Sequence, residues 1–192
     1  MIKGDSKEYE IIQEACESLK KIDLFTAEIG VRMGKGSKII LDTLSNKKHW
    51  HIGIDPYGSI IYQHCDTTEP CLADYTNEMK QQLVKDLDYK NFSLFQMEDS
   101  EFMKRFSDGV PIYRDKKELI NKYDLVHFDG PHKTIDVIKQ SIFFAERSHS
   151  GSVFIYDDYP RYDMQLILNI IVNKYEFMLL KQGKNKLSLK RV

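Results

Sequence analysis

Three carboxylates stand where the apolar pattern of the chain runs out. Asp129 closes the run Tyr123-Asp-Leu125-Val126-His127-Phe128, and Asp157 and Asp158 follow Gly151-Ser-Val153-Phe-Ile155-Tyr156. Both runs are short and apolar and read as strands four and five of the chain. With these strands as neighbours in a sheet, about 4.8 Å apart, the three acids share one edge. Acids so placed repel one another unless a cation or a proton lies between them. Oxygen donors without a thiol suit Mg²⁺, Mn²⁺ or Ca²⁺ better than zinc. Taken singly, each acid also fits a helix cap or a strand-end turn. His132 comes three residues after Asp129, just ahead of an apolar-periodic helix from Thr134 to Arg147. The positive end of a helix dipole disfavours imidazolium, which suits a general base; a substrate contact is the other reading of His132.

A second stretch supplies a place for a ligand. Phe25, Ala27, Ile29 and Val31 alternate as in a strand, the chain turns through Gly30, Gly34 and Gly36, and a helix runs from Ser37 to Leu44. Strand, glycine-rich turn and helix are how an open α/β sheet makes a ligand crevice at the carboxyl end of its first strand. The spacing is neither Gly-x-Gly-x-x-Gly nor a P-loop. Strand two, Trp50 to Asp55, ends in an acid about 20 residues after the turn, where such folds bind the hydroxyl pair of a ribose. Asp55 before Pro56 also reads as a plain turn residue. Strand three, Asn91 to Gln96, leads to Glu98-Asp99-Ser100, and Ser100 doubles as an N-cap for a helix from Glu101 to Phe106.

The rest of the chain must position these groups. A helix from Ser6 to Ile22 carries Tyr9, Ile12, Ala15, Leu19 and Ile22 on one face, with Ser6 as its N-cap. Ser59 to Thr76 reads as an irregular loop at the acceptor end of the site, and its His64, Cys65 and Cys71 lack a metal-ligand spacing. Asn77 to Leu87 is a helix with Met79, Leu83, Val84 and Leu87 inward, and Asp108 to Lys117 is a surface loop. Asp163 to Lys174 is a further helix, and Tyr175 to Lys181 and Lys186 to Lys190 form a closing antiparallel pair.

The 192 residues fit a single domain spanning 1–192. The net charge of −1, with signs interspersed, gives no footprint for nucleic acid or an anionic membrane. The start has no apolar signal segment, and no run approaches the roughly 18 apolar residues of a membrane span. Three cysteines without a Cys-x-x-Cys pair point to reduced thiols in a cytoplasmic protein.

Glu28-Ile-Gly30-Val-Arg-Met-Gly34 resembles the first motif of class I S-adenosylmethionine (SAM) dependent methyltransferases. Asp-Gly-x-His after one strand and Gly-x-Val-x-x-x-Asp-Asp-Tyr after the next resemble the metal-dependent small-molecule O-methyltransferases of methyltransferase family 24, which act on macrolide sugars and related natural products. The likeness runs from Glu28 to about Tyr159. It implies a Rossmann-like three-layer α/β/α sandwich on a mostly parallel seven-stranded sheet of order 3-2-1-4-5-7-6, with an antiparallel C-terminal hairpin. It implies that Glu28 fixes the first loop, that Gly30 lies under the methionine part of SAM, and that Gly34, Ser37 and Asp129 join the cofactor set. Asp55 would hold the ribose. Asp99 and Ser100 would contact the adenine region, although Glu98 stands where the motif has a glycine. Asp129, Asp157 and Asp158 would bind Mg²⁺ or another divalent ion beside an acceptor hydroxyl. His132, with Asp129, would serve in-line methyl transfer to a small hydroxylated molecule, although some relatives carry an acid where Pro131 stands.

The chain is short for this family, so a lid that is either reduced or supplied by a partner subunit, as in a homo-oligomer, is a further expectation. A NAD-dependent oxidoreductase is disfavoured by the glycine spacing and by the lack of a Tyr-x-x-x-Lys pair: Tyr159 and Tyr162 are followed four residues later by Asp163 and Leu166. A non-catalytic binding module is the remaining alternative. A nucleic-acid methyltransferase would want an Asn/Asp-Pro-Pro-Tyr type motif, which is absent.

Overall fold

The computed structural model describes residues 2, 4, 6–114 and 116–192. Its elements, in chain order, are α1 (Tyr9–Glu17), β1 (Asp23–Ile29), α2 (Lys35–Thr43), β2 (Lys48–Ile54), β3 (Gly58–Tyr62), β4 (Cys71–Tyr75), α3 (Asn77–Asp86) and β5 (Phe92–Phe95). There follow α4 (Asp99–Arg105), β6 (Val110–Tyr113), β7 (Lys117–Ile120), β8 (Leu125–Phe128), α5 (Thr134–Ala145), β9 (Val153–Tyr156), a 3₁₀ turn at Tyr159–Arg161, α6 (Met164–Tyr175), β10 (Phe177–Gln182) and β11 (Leu187–Arg191).

Seven strands form one sheet in the order β10-β11-β9-β8-β1-β2-β5. Read from the other edge, this is the 3-2-1-4-5-7-6 order expected from the sequence. β5, β2, β1, β8 and β9 run parallel, and β11 pairs antiparallel with β9 and β10. Alternation along the strands fills both faces. Ala27, Ile29, Val126, Phe128, Phe154 and Tyr156 pack with Phe144, Ile167 and Ile171 of α5 and α6. Leu24, Leu125, Val153 and Ile155 pack on the other face with Ile11, Ile12 and Ala15 of α1 and Ile40 of α2. Helices on both faces of a mostly parallel sheet make the three-layer Rossmann-like arrangement.

Several local expectations are corrected. Ser59 to Thr76 is not irregular throughout: β3 and β4 pair antiparallel across it. The pair Ile61 and Leu72 is largely exposed, at 77% and 66%, so the apolar positions of this hairpin do not mark a buried face. Asp108 to Lys117 likewise holds β6 and the start of β7; Asp115 lies outside the described residues. The first helix is shorter than Ser6 to Ile22. Glu8 takes the N-cap position in a left-handed conformation, and Ile22 is 76% exposed where the chain turns into β1. Ser6 is therefore free of the capping role. α4 begins at Asp99 with Glu98 at its N-cap, so Ser100 is not the cap. Val84 of α3 is 54% exposed. Among the described residues no helix is long and apolar enough to cross a membrane.

Candidate functional site

Register alone gathers the site. Ile29 pairs with Ile54 and with Phe128, and Phe128 pairs with Tyr156, so four parallel strands end level with one another. The next residue of each strand is Gly30, Asp55, Asp129 and Asp157. Each main-chain N–H extends the ladder by one bond: Gly30 to Ile54 O at 2.9 Å, Asp55 to Phe95 O at 3.1 Å, Asp129 to Ile29 O at 2.9 Å and Asp157 to Phe128 O at 2.9 Å. A cavity of about 750 Å³ opens over this edge, lined by all four together with Glu28, Asp99, Ser100, His132 and Asp158. Its size falls in the range of small-ligand sites.

One half of the cavity is the glycine turn. Gly30 and Gly34 both have φ of 80°. A Cβ on Gly30 would stand 2.1 Å from the main-chain oxygen of Asp129, so only glycine lets β1 and β8 close up under the cavity. A Cβ on Gly34 would meet Leu83 of α3 at 2.2 Å. Beneath the turn lies Glu28, 1% exposed. Ser37 Oγ donates to its Oε2, and its Oε1 lies 2.7 Å from His127 Nδ1. A Cβ on Gly36 would touch that carboxylate at 2.0 Å. The polar stripe continues on the same sheet face: His51 Nε2 lies 3.0 Å from Ser37 Oγ, and Thr26 Oγ1 lies 2.8 Å from His51 Nδ1 and 3.0 Å from His49 Nε2. Burial, with the neighbouring His49 and His127, pushes His51 far below its ordinary value. Burial pushes His49 down to about 4.

Asp55 pins the turn from the side. Its Oδ2 accepts from Val31 N at 3.0 Å and Arg32 N at 2.8 Å, and its Oδ1 accepts from Tyr57 N at 3.0 Å. Burial raises its carboxyl despite these three bonds. The residue expected to face a ribose therefore also anchors the loop that borders the cavity. Asp99 Oδ2 accepts from Gln140 Nε2 of α5 at 2.6 Å, and Ser100 stands exposed at the start of α4.

The other half holds the acids, each with a partner from a distant part of the chain. Lys186 is wholly buried, and its Nζ lies 2.6 Å from Asp157 Oδ1. Ser6 Oγ donates to Asp157 Oδ2 at 2.6 Å. Burial alone would raise Asp157, but the Lys186 ammonium and a hydrogen bond with Asp129 hold it far below the usual carboxylate range. Asp129 is driven the other way, by burial and then by Asp157. The two carboxyls are thus driven apart, Asp129 upward and Asp157 downward. Asp158, at φ 46°, pairs through Oδ2 with Arg161 Nε at 3.0 Å. His132 Nδ1 lies 3.4 Å from His64 Nε2, which also accepts from Arg161 Nη1 at 2.8 Å. The His132 ring stacks on Tyr162. Burial, and then His64, pushes His132 down to about 4, so it is neutral at ordinary pH.

This geometry bears on the expected metal. Among the described residues, the His and carboxylate groups whose ligand atoms lie within 4.8 Å of one another are His64–His132–Asp158 and Glu28–His127–Asp129. Asp129, Asp157 and Asp158 do not form such a set. Asp157 is paired with the Lys186 ammonium and Asp158 with the Arg161 guanidinium, so the three acids as arranged do not fit a divalent ion. The glycine half does fit a nucleoside-bearing cofactor: the cavity is large enough, and Gly30 lets a ligand lie against the main chain. Lys186 was missed by sequence reading, and Ser6 and His64 were read in other roles, as a helix cap and as a loop residue without metal-ligand spacing. The antiparallel register of β11 on β9, which pairs Leu187 with Tyr156 and so sets Lys186 opposite Asp157, is the signal that finds Lys186.

No family model matches the chain, and no curated protein matches it. Solved structures do. A putative methyltransferase from Streptococcus mutans, solved with S-adenosylhomocysteine (SAH), aligns with a TM-score of 0.61 at 10% identity over 100% of both chains. The cofactor-bound protein Rv0187 from MTB aligns at 0.65 and 10% identity, over 100% of this chain and 83% of that one. CalS11, described as a TDP-rhamnose 3′-O-methyltransferase of calicheamicin biosynthesis, aligns at 0.56 and 12% identity, over 95% of this chain and 77% of that one. The fold is therefore the Rossmann-like fold of SAM-dependent methyltransferases.

Proposed function

We propose that this chain is a SAM-dependent methyltransferase that methylates a hydroxyl group of a small molecule. The observation that carries the reading is the shared cavity: a glycine turn that only glycine can form at Gly30 borders the same space as a neutral buried histidine. Glu28 and Ser37 hold the turn from below, and Asp55 holds it from the side. Asp99 and Ser100 would border the adenine, and Asp55 the ribose. SAM, when bound, supplies a sulfonium methyl group open to attack by an oxygen nucleophile.

The chain's own residues do the rest. His132 would take the acceptor's hydroxyl proton, since burial keeps its imidazole neutral. The imidazolium formed is favoured by the Asp157 carboxylate. The Asp157 carboxylate is paired with the Lys186 ammonium, which makes a wall suited to an uncharged hydroxylated acceptor. Holding acceptor and methyl donor together in one cavity lowers the barrier by proximity. No step is assigned to a metal.

The test is transfer of label from methyl-labelled SAM to pooled sugars, sugar nucleotides and phenols, run beside total RNA and protein. Alkali-stable label in the small-molecule fraction is expected. Label in RNA or protein, or none in any pool, overturns the acceptor class.

A further inference from the structure

Of the lysines and arginines among the described residues, Lys186 alone is buried, at 0% exposure. A buried ammonium needs partners in every direction its protons take. Here Nζ meets Asp157 Oδ1 at 2.6 Å, donates to Ser6 Oγ at 2.8 Å and lies 5.5 Å from the centre of the Tyr9 ring. Asp157 is equally committed: Oδ1 also accepts from Asp158 N at 2.8 Å, and Oδ2 accepts from Ser6 Oγ.

The surrounding chain is built to hold this lysine in place. The turn that bears it is clamped by Glu8, whose carboxylate accepts from Lys184 N at 2.7 Å, Asn185 N at 2.7 Å and Lys186 N at 2.9 Å. The same segment brings Ser6 to Asp157 and Tyr9 to the ammonium. An apolar side chain of the same length would bury more cheaply unless the carboxylate at the strand end needs a cation.

We propose that Lys186 is the resident cation of this site: its ammonium takes the place a divalent ion would hold at Asp157 and fixes the charge of the wall against which the acceptor lies. Its role toward the acceptor rests on the methyltransferase reading; its occupation of the metal's place does not. Lys186 is thus a positioning residue acting through Asp157.

The test is Mn²⁺ binding followed by electron paramagnetic resonance on the full chain, with SAH affinity measured on the same samples. The wild type is expected to bind no stoichiometric Mn²⁺ below roughly 1 mM, the weak end of carboxylate sites. Lys186→Met is expected to gain one Mn²⁺ and a higher melting temperature with it, and Lys186→Met/Asp157→Asn to lose both. If Lys186→Met does not fold, Lys186→Gln, which keeps a polar contact to Ser6, is read instead. One Mn²⁺ bound by the wild type and lost in Asp157→Asn overturns the proposal, as does no gain of Mn²⁺ in a folded Lys186 variant. Failure of SAH to bind any of these proteins overturns the methyltransferase reading and leaves the Mn²⁺ result to be read on its own.

Discussion

Asp55 and Asp157, one in each half of the cavity, have their buried charges satisfied in different ways, whereas Glu28 beneath the glycine turn relies on the side chains of Ser37 and His127. On the glycine side, Asp55 is held by three main-chain N–H groups, all within two residues of Asp55 or in the adjoining turn. On the acid side, compensation for Asp157 comes from side chains far away in sequence, Lys186 and Ser6. Main-chain donors come with the fold and keep the turn in one shape. Side-chain cations can be exchanged by a single substitution, so this half is where charge, and with it acceptor chemistry, can change while the fold stays.

The comparison breaks most visibly at Lys186. Removing one partner of a buried pair costs about 3–5 kcal/mol, because the other charge is stranded. Lys186→Met should lose that much in urea unfolding, and Lys186→Met/Asp157→Leu should recover most of it. A single-variant loss below about 1 kcal/mol would show that Asp157 is not compensated by this lysine. At Gly30 the effect should fall on binding. Alanine there meets both a left-handed φ and the Asp129 oxygen, so β1 and β8 must part. SAH affinity is expected to fall on the order of 100-fold, near 2.7 kcal/mol, and an unchanged affinity would remove the turn from the site.

The buried histidines give a pH signature. His49 and His132 are held to about 4 in the folded chain, below the unfolded value of about 6.5. The unfolded chain therefore binds more protons between these values. The contribution is fully present above about pH 6.5 and is lost as pH falls through about 4, worth roughly 1–3 kcal/mol for each ring. Melting curves from pH 7 to 4 should show this decline, and His49→Gln should flatten its share. Arg161 should matter least. Its pair with Asp158 is half exposed, and such pairs contribute about 0–1 kcal/mol. Arg161→Ala should move the melting temperature by a degree or two at most, whereas a large shift would place Arg161 with Lys186 as a structural cation.

What was legible in the sequence follows the range of the interactions. The strand–turn–helix at 25–44 and the strand ends at Asp55, Asp129 and Asp157 depend on period and on local glycines, and they stand as read except that Gly36 lies inside α2 and not in the turn. The β3–β4 hairpin was hidden because its pair Ile61–Leu72 is exposed, so apolar residues there do not report burial. Ser6 was read as a helix cap, its local role, whereas its hydroxyl serves Asp157 at a separation of 151 residues. The carboxylates were visible but their cations were not, because a lysine in a terminal strand carries no mark of burial until the sheet register sets it opposite Asp157. That is why the acids suggested a metal ion from sequence alone.

We propose that the cavity at this sheet edge binds SAM through the glycine turn. Calorimetric titration of the wild type with SAH, beside NAD, each with and without Mg²⁺, tests it most directly. The account predicts one SAH per chain with micromolar affinity, indifferent to Mg²⁺, and no binding of NAD. Binding of NAD in place of SAH, or of neither, would contradict it.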